Sequence, residues 1–162
     1  MRVLTVRQPW AWAIIHGGKT IENRSRNVAG KYRGPVAIHV AKTRADVWID
    51  SLTPDTALDR AVRDWWNSGG PAKRFTDDEG DVLVPWWADI GHIIGVVDLI
   101  DVHMECRYLE PTSRQCSPWA ESNAYHLEFA NPRAIMPIPT KGRLGLWRPD
   151  SELEARIREA TR

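Results

Sequence analysis

The chain is poor in cysteine: Cys106 and Cys116 are the only two in 162 residues, too few for a disulfide framework. A reduced, cytoplasmic setting is the expectation, and the sequence leaves open whether the two pair. No apolar run approaches the ~20 residues that span a bilayer, so no membrane partner is expected. The opening Arg2-Val3-Leu4-Thr5-Val6 reads as a strand rather than a secretory leader. There is no glycine-rich phosphate loop, no Ser/His/Asp arrangement, no internal repeat and no low-complexity tract. Matched metal-ligand pairs are also missing. His103, Glu105 and Cys106 lie close together with Cys116 further on, whereas structural zinc sites draw on pairs about two to four residues apart. Asp98 and Asp101 fall on opposite faces of a strand. Neither a metal nor a cofactor is therefore expected.

What is present fits one compact domain. A chain of this length buries a sizeable core, and 43% hydrophobic with 27% charged residues is a soluble globular composition. The formal net charge of +1 conceals a partition. Residues 1–44 carry +8, residues 45–131 carry −10 and residues 132–162 carry +3. Screening limits each charge to about 10 Å at ~0.1 M salt. The basic N-terminal part can therefore attract phosphate although the whole chain is nearly neutral. Alternatively, basic and acidic segments lie side by side and cancel.

The most informative segment is Gly17-Gly18-Lys19-Thr20-Ile21-Glu22-Asn23-Arg24, shortly after Arg7-Gln8-Pro9-Trp10. Pro9 suits the first turn of a helix, since it has no N–H to lose there. Trp10 to Ile15 continue that helix, and Gly17-Gly18 stop it. Lys19 is expected in the turn, and residues 20–26 as a strand. Alternation then places Thr20, Glu22, Arg24 and Arg26 on one side, and Ile21, Asn23 and Ser25 on the other. An acid between bases on one strand face suits a polar pocket better than a core. The bland alternative is a semi-buried ion-pair cluster.

These residues resemble the ASCH domain, named for activating signal cointegrator homology, within the PUA-like superfamily. Its hallmark is a G-x-K-x-x-E-x-R run, matched by Gly17 to Arg24. Leu4-Thr5-Val6-Arg7-Gln8-Pro9-Trp10-Ala11 looks like the start of the cointegrator's own C-terminal ASCH domain. Tyr32-Arg33-Gly34-Pro35, the run from Gly91 to Asp101, Asn131-Pro132, Pro139-Thr140-Lys141-Gly142 and Leu146-Trp147 are similar to it as well. The stretch 43–89 lies outside the likeness and reads as an insertion within a single domain, 1–162. The resemblance implies an α+β fold: a PUA-like small barrel of about six strands flanked by helices.

The pattern of the chain agrees. Strands are expected over 2–6, 20–26, 35–41, 91–103, 124–129 and 133–138. Helices are expected over 9–16, 43–51, from after Thr53-Pro54-Asp55 to Asn67, and 150–160. Asp77 to Asp81 reads as a solvated acidic loop.

Nine tryptophans are a high count. Indole stacks on bases and also fills cores. Adjacent Trp65-Trp66 and Trp86-Trp87 point to different faces, so both members of a pair cannot be fully buried. Trp10, next to the hallmark, is the best single pocket wall.

Two functional classes follow. The first is a binding module for single-stranded RNA or DNA, or one modified nucleobase. Arg7, Gln8, Trp10, Lys19, Glu22, Arg24, Arg26, Lys31, Tyr32 and Lys141 would form its nucleic-acid surface, with Trp10 or Tyr32 as the stacking face. The second is a hydrolase, acting on an acylated nucleoside or as a nuclease on a nucleic acid, with Lys19 and Glu22 as the reacting pair. A desolvated lysine can lose its proton and act as base or nucleophile, and a neighbouring glutamate can shuttle it. The family resemblance implies amidohydrolases of acetylcytidine with a lysine, a threonine and a glutamate as catalytic set. Lys19 matches the lysine, but the threonine's place is Glu22 here, with Thr20 as its substitute. Glu105, Glu110 and Glu121 are available as a second acid. His39 and His126 read as core or cleft residues. The tryptophan-rich insertion suggests a protein partner as a third option.

Overall fold

A computed structural model describes residues 1–43, 56–70, 73–77, 80–84, 89–104 and 116–162, with no side-chain statement for 73–84. The expected helix at 43–51 therefore lies outside the described residues, as do Trp86 and Trp87. The element order is β1 (Arg2–Val6), α1 (Trp10–His16), β2 (Ile21–Arg24), β3 (Gly34–Val40), α2 (Ala57–Asn67), β4 (Lys73–Asp77), β5 (Gly80–Val84), β6 (His92–Met104), β7 (Tyr125–Pro139), β8 (Leu146–Trp147) and α3 (Ser151–Ala160).

Among the described residues, six strands form one curled sheet in the order β2-β7-β6-β3-β1-β8, a half-barrel accompanied by α1, α2 and α3. β1 and β3 run parallel, and the other pairs are antiparallel. Strict alternation sorts the side chains. Leu4 and Val6 of β1 join Val36, Ile38 and Val40 of β3 under α1, while Val3 and Ala37 face Leu153 and Ile157 of α3. α1 and α3 thus each cover one apolar face of the sheet.

β7 is one strand where the sequence suggested two. Strands are expected over 124–129 and 133–138, yet pairing with β6 runs on past Asn131-Pro132, with register shifts at three places along the ladder. Bulges of this kind add twist and bend to a long ribbon. Asn131 takes the left-handed backbone (φ 51), which asparagine tolerates better than most residues.

Three further differences separate sequence and structure. Asp77, Gly80 and Asp81 belong to a β4–β5 hairpin rather than an acidic loop, with Asp77 opposite Gly80 and Thr76 opposite Asp81. Local propensity missed it because charged residues are poor strand formers. The short β8 had no signal of its own and exists because Val3 and Leu4 pair with Trp147 and Leu146. β2 ends at Arg24, so Ser25 and Arg26 lie beyond the strand. Among the described residues, no helix is long and apolar enough to cross a membrane.

α2 packs on α1. Trp12, Ala13 and Leu58 are buried together, with Trp10, Val62, Trp65 and Trp119 against them. Trp12 meets Trp65 edge to face, with ring centroids 5.7 Å apart. Trp65 is half-buried and Trp66 exposed, the split that adjacency demands.

Candidate functional site

The site is set by how α1 ends. The N–H groups of Gly17 and Lys19 both donate to the Ala13 carbonyl, at 2.9 Å each. Gly18 between them adopts φ 68, a left-handed conformation that suits glycine and closes the helix. This turn sends the Lys19 side chain inward rather than to solvent, and Lys19 is 4% exposed. Its ammonium donates to the Ile21 carbonyl and lies 3.8 Å from Glu22 Oε2. It also sits 5.3 Å from the ring centroids of both Trp10 and Trp119. Those two rings meet edge to face, so the cation lies in an aromatic corner.

Glu22 is buried as well. Its Oε1 pairs with Arg24 Nη2 at 3.1 Å, and Arg24 also donates to the Thr5 carbonyl. Burial drives both pKa values toward the neutral forms. Desolvation lowers that of Lys19, against the carboxylates of Glu22 and Glu121. Desolvation raises that of Glu22, against Lys19 and Arg24.

An open cavity of about 280 Å³ lies over this pair. Trp10, Lys19, Glu22 and Asn23 form one side, and the segment from Pro118 to Glu121 forms another. Thr56, Ala57 and Leu58, at the start of α2, complete it. Thr56 Oγ1 caps α2 by accepting from the Asp59 N–H. Part of the stretch read as an insertion thus builds the wall. Asn23 ties the other side down: its amide donates to the Trp119 carbonyl, and its Oδ1 accepts from the Glu121 N–H.

Of the residues singled out from sequence, the structure brings Trp10, Lys19 and Glu22 to the cavity, with Arg24 behind Glu22. Gln8 is buried, and its Oε1 accepts the Trp12 N–H at the start of α1. Thr20 is exposed, and its hydroxyl bonds to Ser117 rather than lining the cavity. Arg7, Arg26, Lys31 and Lys141 are exposed and outside the lining. Tyr32 lies elsewhere, with its hydroxyl donating to the Pro35 carbonyl and its ring beneath Arg2. Glu105 and Glu110 lie outside the described residues, while Glu121 reaches the cavity rim. Sequence reasoning missed Asn23, because alternation sent it to the opposite face, and missed Trp119, which no motif marks.

The ASCH domain model matches residues 4–139. Among curated proteins, none matches the chain. Two solved structures are similar over nearly the full length: the ASCH protein of Zymomonas mobilis and a point mutant of it. The first is 13% identical, covers 97% of this chain and 93% of the other, and has a TM-score of 0.46. For the mutant the figures are 13%, 97%, 96% and 0.49. On the family match, the chain belongs to the ASCH domain family.

Proposed function

We propose that this ASCH domain holds one base of a single-stranded nucleic acid, RNA or DNA, in the cavity over Lys19 and Glu22. The observation that carries the reading is a buried ammonium–carboxylate pair left at the floor of an open, tryptophan-walled hollow. The volume of about 280 Å³ suits a single planar base. Trp10 and Trp119 offer π-faces, each worth roughly 1–3 kcal/mol per stacked base. Glu22 and Lys19 supply an acceptor and a donor that a base edge can meet. The exposed cations Arg7, Arg26, Lys31 and Lys141 are the groups available for phosphates. The likeness of the N-terminal segment to the cointegrator's ASCH domain points to the same binding role. Fluorescence anisotropy with labelled single-stranded RNA and DNA tests it. Lys19→Ala with Arg24→Ala should weaken binding and flatten its salt dependence; unchanged affinity would overturn the reading.

A second reading is favoured by one specific observation, the presence of Glu121 beside a lysine whose proton burial loosens. In an amidohydrolase of acetylated cytidine, neutral Lys19 would activate water and Glu121 would supply the second carboxylate. The amide and water would leave as cytidine and acetate. Thr20, turned toward Ser117, does not fit the family's threonine. Incubation with acetylcytidine followed by chromatography decides: absence of cytidine at high protein concentration removes this reading.

A further inference from the structure

We infer that His103, Cys116 and His126 form a site for a divalent cation of the zinc class, separate from the base cavity. His103 and His126 are direct cross-strand partners on β6 and β7, so their side chains rise from the same face. Their rings meet edge to face, with centroids 5.2 Å apart. Cys116 Sγ lies 3.4 Å from His103 Nε2 and 3.4 Å from His126 Nδ1. All three ligand atoms fall within 4.8 Å of one another. Zinc bonds of about 2.3 Å to sulfur and about 2.0 Å to nitrogen, at tetrahedral angles, separate sulfur and nitrogen by about 3.5 Å. The two sulfur–nitrogen distances already match that spacing.

The far side of each ring is fixed as metal-ligating histidines require. His103 Nδ1 is 3.0 Å from Asp101 Oδ2, and His126 Nε2 is 2.8 Å from the Glu121 carbonyl. A carboxylate and a carbonyl only accept, so those nitrogens carry the protons. The other two nitrogens then turn lone pairs toward one sulfur. A bound cation would take both lone pairs and the thiolate as ligands. His126 is 1% exposed while Cys116 faces solvent, which gives a closed back and an entry path. Three protein ligands leave a fourth position for water or an incoming group.

Zinc-type sequence spacing is absent because the fold, not a local loop, brings the ligands together. The site also touches both ends of the cavity wall. Cys116 lies three residues before Trp119, and His126 Nε2–H donates to the Glu121 carbonyl. A bound ion would brace that wall.

The test uses the full chain, reduced and stripped with chelator, then titrated with Zn²⁺ by calorimetry and with Co²⁺ by absorption. One equivalent per chain and a thiolate-to-Co²⁺ charge-transfer band are expected. Cys116→Ser should abolish the band, and Cys106→Ser should keep it. Asp101→Asn should weaken Zn²⁺ affinity about 10–100-fold. His126 is buried and its replacement endangers the fold, so His103→Gln, at a partly exposed position, serves as the second ligand variant and should lose stoichiometric uptake. No uptake by the unaltered chain, or a band that survives Cys116→Ser, would overturn the proposal.

Discussion

Lys19 Nζ and Glu22 Oε2 stand 3.8 Å apart with their side chains 4% and 10% exposed, at the floor of an open cavity. Such a pair has left water without being sealed into a core. Removing two charges from solvent is expensive, and their attraction repays it only when the remaining hydrogen bonds are good. Here Lys19 has a carbonyl partner and Glu22 a second cation, yet desolvation still outweighs attraction for each of them. The pair is held at a cost that a ligand entering the cavity would offset.

The first prediction concerns pH. Because the folded pKa of Glu22 lies above its ordinary value of 4.5, the folded state binds the proton more tightly than the unfolded state. Its contribution to stability is therefore full below about pH 4.5 and is lost as pH rises toward the folded value. Glu22→Gln removes that contribution. Urea unfolding across a pH series should show the advantage of the unaltered chain over Glu22→Gln to be largest at the acid end and to shrink upward from pH 4.5. A difference that grows with pH would show that attraction by Lys19 and Arg24 dominates instead.

Much of this arrangement was legible in the sequence. Gly17-Gly18 mark the end of α1, and the strand patterns at 2–6 and 35–41 place β1 and β3. The lysine–glutamate–arginine spacing announces a polar pocket. What stayed hidden depends on contacts distant along the chain. Nothing local distinguishes Glu121 from Glu105 or Glu110, because its place follows from Asn23 gripping its N–H across the sheet edge. Trp119 is one tryptophan of nine until the fold sets it against Trp10 and Lys19. The role of Thr56 to Leu58 is equally tertiary, arising where α2 packs against α1.

The second prediction tests the seat of α1. Gly95 lies in the shifted register of β6. A Cβ there would come within 2.6 Å of Ile15 Cδ1 and 2.7 Å of the Arg133 carbonyl. The Ile15 side chain can move, but the β7 backbone cannot without disturbing the ladder. Gly95→Ala should therefore destabilise the fold by about 1–3 kcal/mol, the usual range for overpacking. Thermal or urea unfolding measures it. A loss below about 0.5 kcal/mol would mean that the bulge relaxes freely.

The third prediction separates what the ion pair does for the fold from what it does for a ligand. Buried ion pairs are often replaceable by uncharged residues of similar volume with no loss, or a gain of about 1–4 kcal/mol. Lys19→Met combined with Glu22→Gln keeps the volume, removes both desolvation penalties and leaves Arg24 its bond to the Thr5 carbonyl. The double variant should be at least as stable as the unaltered chain in urea at neutral pH, while its binding of single-stranded oligonucleotides is lost. Glu22→Gln alone leaves Lys19 without the carboxylate that most strongly raises its pKa. Its ammonium should then titrate at lower pH than in the unaltered chain, which side-chain NMR of Lys19 can follow. A double variant that unfolds several kcal/mol more easily, with binding retained, would assign the pair to the architecture rather than to the ligand.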